Sequence, residues 1–146
     1  MFKHILLATD GSKASEHAAQ LAVGMARTHK AKLTVVYVVD PYPYMGVGDI
    51  NPVGYQAYSA AAQAQAALAQ SLVEKLAREG GEVVAVEARL VEDVAAASGI
   101  VQTAETEGAD LIVLGSHGRT GMARLMLGSV SSKVVAESKV PVLVTR

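Results

Sequence analysis

The chain has 146 residues, 51% hydrophobic and 18% charged, with a formal net charge of −1 and no cysteine. That length fits one domain, residues 1–146, large enough to bury a core, and the apolar content excludes long disorder. The near-neutral charge leaves no basic stripe for nucleic acid, the lack of cysteine excludes disulfides and thiolate chemistry, the N-terminal apolar run of about five residues is shorter than the about 7–15 of a signal peptide, and no run reaches the roughly 18 of a membrane span, so the expectation is a soluble cytoplasmic protein.

The run "HILLATD" is apolar up to Thr9 and Asp10 and is followed by Gly11 and Ser12, the pattern of a buried strand that stops at a turn. Ala14, Ala18, Leu21, Ala22 and Met25 then recur at helical spacing, with Ser12 as N-cap, Glu16 in the first turn, and Arg27, His29 and Lys30 at the negative end of the dipole. "LTVVYVV", residues 33–39, is β-branched and apolar on both faces, as a strand covered by helices on each side should be. Residues 41–58 form a Pro/Gly/Tyr loop of about eighteen residues, a length that points to function in a compact domain.

From about residue 57 to 79, an Ala/Gln-rich segment with Leu68, Leu72 and Leu76 four apart predicts a long helix stopped by Gly80 and Gly81. "EVVAVEARL" alternates, with Val84, Val86, Ala88 and Leu90 on one face and Glu87 and Arg89 on the other, which suggests a half-buried edge strand. A helix over residues 93–107 places Ala97, Ile100, Val101 and Ala104 on one stripe. "DLIVLG", residues 110–115, is apolar on both faces and therefore central; beyond a glycine-rich stretch come a short helix over residues 129–138 and the strand "VPVLVTR".

Strands and helices alternate without interruption, which predicts an α/β fold: a doubly wound, Rossmann-like five-stranded parallel sheet of order 3-2-1-4-5 with helices on both faces. Its topological switch lies between the first and fourth strands. Ligands in such sheets bind beyond the carboxyl ends of the strands at that point, here "ATDGS" and "LGSHG".

The stretch "LGSHGRTGMARLMLGSV" places Gly115, Gly118 and Gly128 before Ser129, where a helix begins. Glycines admit close backbone approach, and the helix start offers unpaired N–H groups at its positive end, so together they make a phosphate site; isolated glycines would read only as a bend. Hydroxyls of Ser129, Ser131 and Ser132 and the charge of Arg119 or Lys133 could add to it. No Gly-Lys pair exists for a Walker A loop, and "GVGDIN" has Asn51 where a dinucleotide fingerprint needs its third glycine, so it reads as a turn.

The pattern G-x2-G-x9-G-[ST], preceded by "DLIVLGSHGR", resembles the ATP-binding signature of the universal stress protein family. The similarity runs from "ILLATDGS" through "VVYVVD" to "SSKVVAESKVPVLVTR"; "VEDVAAASG" departs from it by lacking the usual Gly-x-Pro before the third helix. The resemblance implies an adenine-nucleotide alpha-hydrolase-like fold, usually dimeric. It also implies that Ala8, Thr9 and Asp10 line the adenosine end, with the Asp10 carboxylate accepting from ribose hydroxyls, and that Val38 contacts adenine. Leu114, Gly115, Ser116, Gly118 and Arg119 would pass beneath ribose and phosphates, and Gly128, Ser129, Val130 and Ser131 would close over the phosphates. The bound species would be ATP, or AMP or ADP, with Mg²⁺ or Mn²⁺ able to accompany it and no protein ligand for the metal identifiable.

Other residues have plainer readings. Ser116 and His117 are adjacent, their side chains are expected to diverge, and no acid at useful spacing orients the imidazole, so no catalytic residue is assigned. Asp10 also suits a turn cap; Met122, Leu125 and Met126 suit core or partner packing; His4, His17 and His29 form no metal pair; and Tyr42, Tyr44, Tyr55 and Tyr58 suit a lid or exposed turns. The last strand carries Val140, Val142 and Val144 on one face and Leu143 on the other, and its bare edge invites a homodimer through residues 140–145. The leading expectation is a dimeric, ATP-binding regulatory protein of the stress response acting on an unknown client. The alternatives are a slow ATPase or nucleotide-dependent transferase, and a nucleotide-free dimerising scaffold.

Overall fold

The computed structural model describes residues 1–42, 52–117 and 126–146. In chain order it contains β1 (His4–Ala8), α1 (Lys13–His29), β2 (Lys32–Val38), α2 (Pro52–Arg78), β3 (Val86–Val91), α3 (Ala96–Glu107), β4 (Leu111–Gly115), α4 (Ser129–Glu137) and β5 (Val142–Thr145). The strands form one sheet of order β3-β2-β1-β4-β5. Every pairing is parallel, with Ile5 opposite both Leu33 and Leu111, and Leu33 opposite Val86. The predicted order, parallel sense and edge position of β3 are all present.

Side chains alternate across the sheet and divide the core in two. Ile5, Leu7, Leu33, Val35, Leu111 and Val113 meet α1 and α2 on one face. Leu6, Val36, Ile112 and Leu114 meet α3 and α4 on the other through Ala97, Ile100, Ala104 and Val134. Val140, Val142 and Val144 pack toward that second cluster and Leu143 toward the first, as the alternation of the last strand predicts.

The inner faces of two helices are rotated from expectation. In α1 the buried stripe is Ser15, Ala18, Ala19, Ala22, Val23 and Ala26, so Ala18 and Ala22 are inside while Ala14 is exposed and Leu21 lies at the flank. In α2 the stripe is Ala69, Val73 and Ala77, one residue beyond the leucine series, and Leu68 is 65% exposed. Small side chains let both helices approach the sheet closely, and the larger leucines are displaced to the edges of the contact. The second helix also starts at Pro52, five residues earlier than expected, with proline at the first helical position where its missing N–H costs nothing. It ends where Arg27 of α1 donates to the carbonyls of Glu79 at 2.8 Å and Glu82 at 2.7 Å.

Two further boundaries differ. The third strand begins at Val86 rather than residue 82, because the Val84 N–H turns back to the Ala77 carbonyl, and Leu90 is 44% exposed on this edge. The third helix begins at Ala96 rather than residue 93, since Asp93 adopts φ +59°, which a right-handed helix excludes.

Asp110 ties the amino ends of the two central strands together. Its carboxylate accepts the N–H groups of Lys3 at 2.8 Å and His4 at 3.1 Å. Burial works against the charge, but those N–H groups, its own N–H and the His4 charge together hold the carboxyl below its ordinary value. A depressed carboxylate contributes stability above its unfolded pKa and loses it as pH falls through the folded one. Asp110→Asn is therefore expected to cost about 1–2 kcal/mol at pH 7 in urea denaturation, and the difference from wild type should shrink below about pH 4.

Candidate functional site

The carboxyl ends of β1, β2 and β4 open into a cleft of about 750 Å³, within the roughly 300–1,000 Å³ range of small-molecule sites. It sits at the switch point, where the order of winding reverses between β1 and β4.

At the β1 end the backbone is held by its own polar side chains. The Thr9 N–H reaches the Val36 carbonyl at 3.1 Å, and the Thr9 and Ser15 hydroxyls are 3.0 Å apart. The Ser12 N–H donates to Asp10 Oδ1 at 2.9 Å, the Asx turn expected of an Asp before glycine, while Gly11 takes φ +74° so the chain can enter α1. The turn-capping reading of Asp10 is thus present, and Asp10 lines the cleft as well.

At the β4 end a short network joins three elements. The Ser116 N–H donates to the Thr145 carbonyl of β5 at 2.6 Å, and the Ser116 carbonyl accepts the Gly128 N–H at 2.7 Å. The Ser131 hydroxyl donates to the carbonyls of Gly115 at 2.8 Å and Ser116 at 3.1 Å. Gly128 caps α4 at φ −62° and ψ 161°, values any residue can adopt, so glycine is not needed for the turn. It is needed for the approach: a Cβ here would lie 2.8 Å from the Ser116 carbonyl oxygen. The Ser132 N–H makes the first intrahelical bond, to Gly128, which leaves the first-turn amides of Ser129, Val130 and Ser131 without an intrahelical acceptor beside the cleft.

Ala8, Thr9, Asp10, Val38, Leu114 and Gly115 line the cleft, as do Gly128, Ser129, Val130 and Ser131. Ser116 does not line it; its side chain is buried behind the wall. Gly118 and Arg119 lie outside the described residues, as do Met122, Leu125 and Tyr44. Three expected phosphate donors are placed differently. The Ser131 hydroxyl is committed to two carbonyls, and Ser132 and Lys133 are exposed on α4 away from the lining.

One wall of the cleft is built by α2: Tyr58, weighed from the sequence as a lid or an exposed turn, lines it, while the contributions of Ala62 and Gln65 were not anticipated. Tyr58, Ala62 and Gln65 of α2 face the cleft beside Tyr37 and Val39. The Tyr58 hydroxyl donates to the Asp40 carbonyl at 2.6 Å, and its ring meets Tyr42 edge-on at 5.3 Å. The signal was available: Tyr58, Ala62, Ala66, Ala69, Val73 and Ala77 continue one helical stripe back through the presumed loop. Met126 is 76% exposed and lines the cleft, so it packs in no core. The Ser116 and His117 side chains do not diverge: Ser116 Oγ lies 3.0 Å from His117 Nδ1.

Among the described residues no three His, Asp or Glu side chains gather closely enough to hold a metal. Among the same residues no helix is long and apolar enough to cross a membrane.

This sheet order, with a cleft at its switch point and a glycine-capped helix closing one side, defines a Rossmann-like α/β domain. The sequence model of the Universal stress protein family matches residues 1–146, and the chain belongs to that family. It is 39% identical to a universal stress protein of Thermus aquaticus, over all of both chains. Of solved structures, universal stress protein UspA from Lactobacillus plantarum is 30% identical, covers 99% of this chain and 97% of its own, and superposes with a TM-score of 0.81. A universal stress protein solved in complex with cAMP is 28% identical, with a TM-score of 0.71 and the same coverage.

Proposed function

We propose that this protein is an ATP-binding regulatory module of the stress response that presents its nucleotide state to a client protein. One observation carries the reading: the first-turn amides of α4 and the ends of β1 and β4 converge on a single cleft. Anions favour such a helix start because its N–H groups are unpaired and its dipole is positive there. The similar protein solved with cAMP supports an adenine nucleotide as the class of ligand. Val38 lies beside the base, the Asp10 carboxylate accepts from the ribose, and the amides of Ser129, Val130 and Ser131 take the phosphates. An accompanying Mg²⁺ or Mn²⁺ would be held by those phosphates.

Calorimetric titration with ATP, AMP and cAMP tests this. Saturable one-to-one binding of ATP is expected, with no phosphate released over hours, since the reading is of binding without turnover. Absence of heat from all three nucleotides would overturn it.

We also propose that two copies pair through residues 140–145. β5 is an edge strand of the sheet, and its apolar Val142, Leu143 and Val144 are only half-buried. Sedimentation at micromolar concentration is expected to give twice the chain mass; a monomer contradicts the pairing.

A further inference from the structure

Behind the wall of the cleft, α3 carries a glycine that its own conformation does not require. Gly99 is the fourth residue of the helix, is buried, and has no left-handed φ. Its N–H donates to the Ala95 carbonyl at 2.9 Å and its carbonyl accepts the Thr103 hydroxyl at 2.7 Å, so the backbone there is ordinary helix. Alanine suits such a position better, because glycine gives up more chain entropy on folding. The reason for glycine is its neighbour on β2. A Cβ at residue 99 would lie 3.0 Å from both methyl carbons of Val38 and 3.3 Å from Val94 Cγ1, where carbon atoms in contact prefer about 3.5–4.0 Å.

Rotation of the Val38 side chain does not remove the conflict. Valine fills two of the three staggered positions on its Cβ, and both filled positions face Gly99, so every rotamer keeps at least one methyl against it. Nor is α3 free to step back, since Ala97 and Ile100 on either side are buried in the core with Leu6 and Val36. Val38 is the softer partner: it ends β2, is half-buried, and lines the cleft. Gly99 itself does not line the cleft, although Ala96 and Ile100 of the same helix do. The missing Cβ lets Val38 sit back against α3, and the cleft is deeper at that point.

We propose that Gly99 is the positioning residue that sets the depth of the cleft at Val38, and thereby its preference for a bicyclic over a monocyclic base. The inference rests on the nucleotide reading above, in which Val38 lies beside the base. One methylene more or less in an apolar pocket changes discrimination by about 10–200-fold, so a displacement of methyl size is enough to select.

Calorimetry with ATP and CTP on wild type, Gly99→Ala, Val38→Ala and the double variant tests it. Wild type should prefer ATP to CTP, and Gly99→Ala should weaken ATP about tenfold while leaving CTP within about twofold. In the Val38→Ala background the methyls that meet the new Cβ are gone, so adding Gly99→Ala should change ATP affinity by less than about twofold. The double variant also carries the test if Gly99→Ala alone does not fold. Equal ATP affinity in wild type and Gly99→Ala overturns the inference alone, as does an equal loss for CTP. A loss of ATP affinity that persists without the Val38 methyls overturns it too, and so does a wild type that binds CTP as tightly as ATP. A wild-type protein that binds neither nucleotide overturns the nucleotide reading and this inference with it.

Discussion

Gly128→Val is expected to weaken ATP binding about a hundredfold or more, roughly 2.7 kcal/mol, while leaving a folded protein. The backbone angles of Gly128 are open to any residue, so strain in φ is not the cause. The cause is a backbone oxygen 2.8 Å from the added Cβ, and no side-chain rotation relieves a clash with backbone. That same oxygen accepts the Gly128 N–H at 2.7 Å, so the turn opens at the bond that seats α4 against β4. Overpacking of this kind costs about 1–3 kcal/mol, less than the roughly 5–15 kcal/mol of a typical domain. The amides of Ser129, Val130 and Ser131 move with the turn, and they are the phosphate donors of the proposed site. Calorimetry beside a thermal melt separates the two effects; ATP affinity within twofold of wild type would show that the close approach is not used in binding.

Ile112→Ala should be the more damaging change to the fold. Ile112 is fully buried on β4, paired with β1 and β5, and packed against α3 and α4. Losing its branched side chain removes burial and leaves a cavity, at about 2–5 kcal/mol. Near the middle of that range the melting temperature falls by about 10 °C. Leu143→Ala on the half-buried edge strand should cost clearly less. Similar losses at the two positions, seen in urea unfolding, would contradict the division into central and edge strands.

The fold was legible because a parallel sheet writes itself plainly. Strands covered on both faces become unbroken apolar runs such as "HILLA" and "LIVLG", and the half-exposed β3 alternates instead. The helix faces were less legible. Bulky Leu21 and Leu68 draw attention in any hydrophobic count, yet the contacts with the sheet are made by alanines that give only a weak periodic signal. The cleft was legible where glycine and serine spacing marks a turn, at residues 8–10 and 128–131, and hidden where it depends on a tertiary neighbour. Tyr58 is the example: the helical stripe places it on the inner face of α2, but its hydroxyl closes the wall by reaching the Asp40 carbonyl, 18 residues away, a contact that no local pattern announces.

If an adenine nucleotide occupies the cleft at the switch point, as proposed, backbone amide resonances followed during titration with ATP will report it. Shifts are expected to concentrate at Ala8, Asp10, Val38, Gly115, His117 and Ser129 to Ser131, with the amino ends of the strands near His4 and Asp110 unmoved. Saturable shifts confined to other surfaces, or none at ATP concentrations that saturate the calorimetric signal, would contradict it.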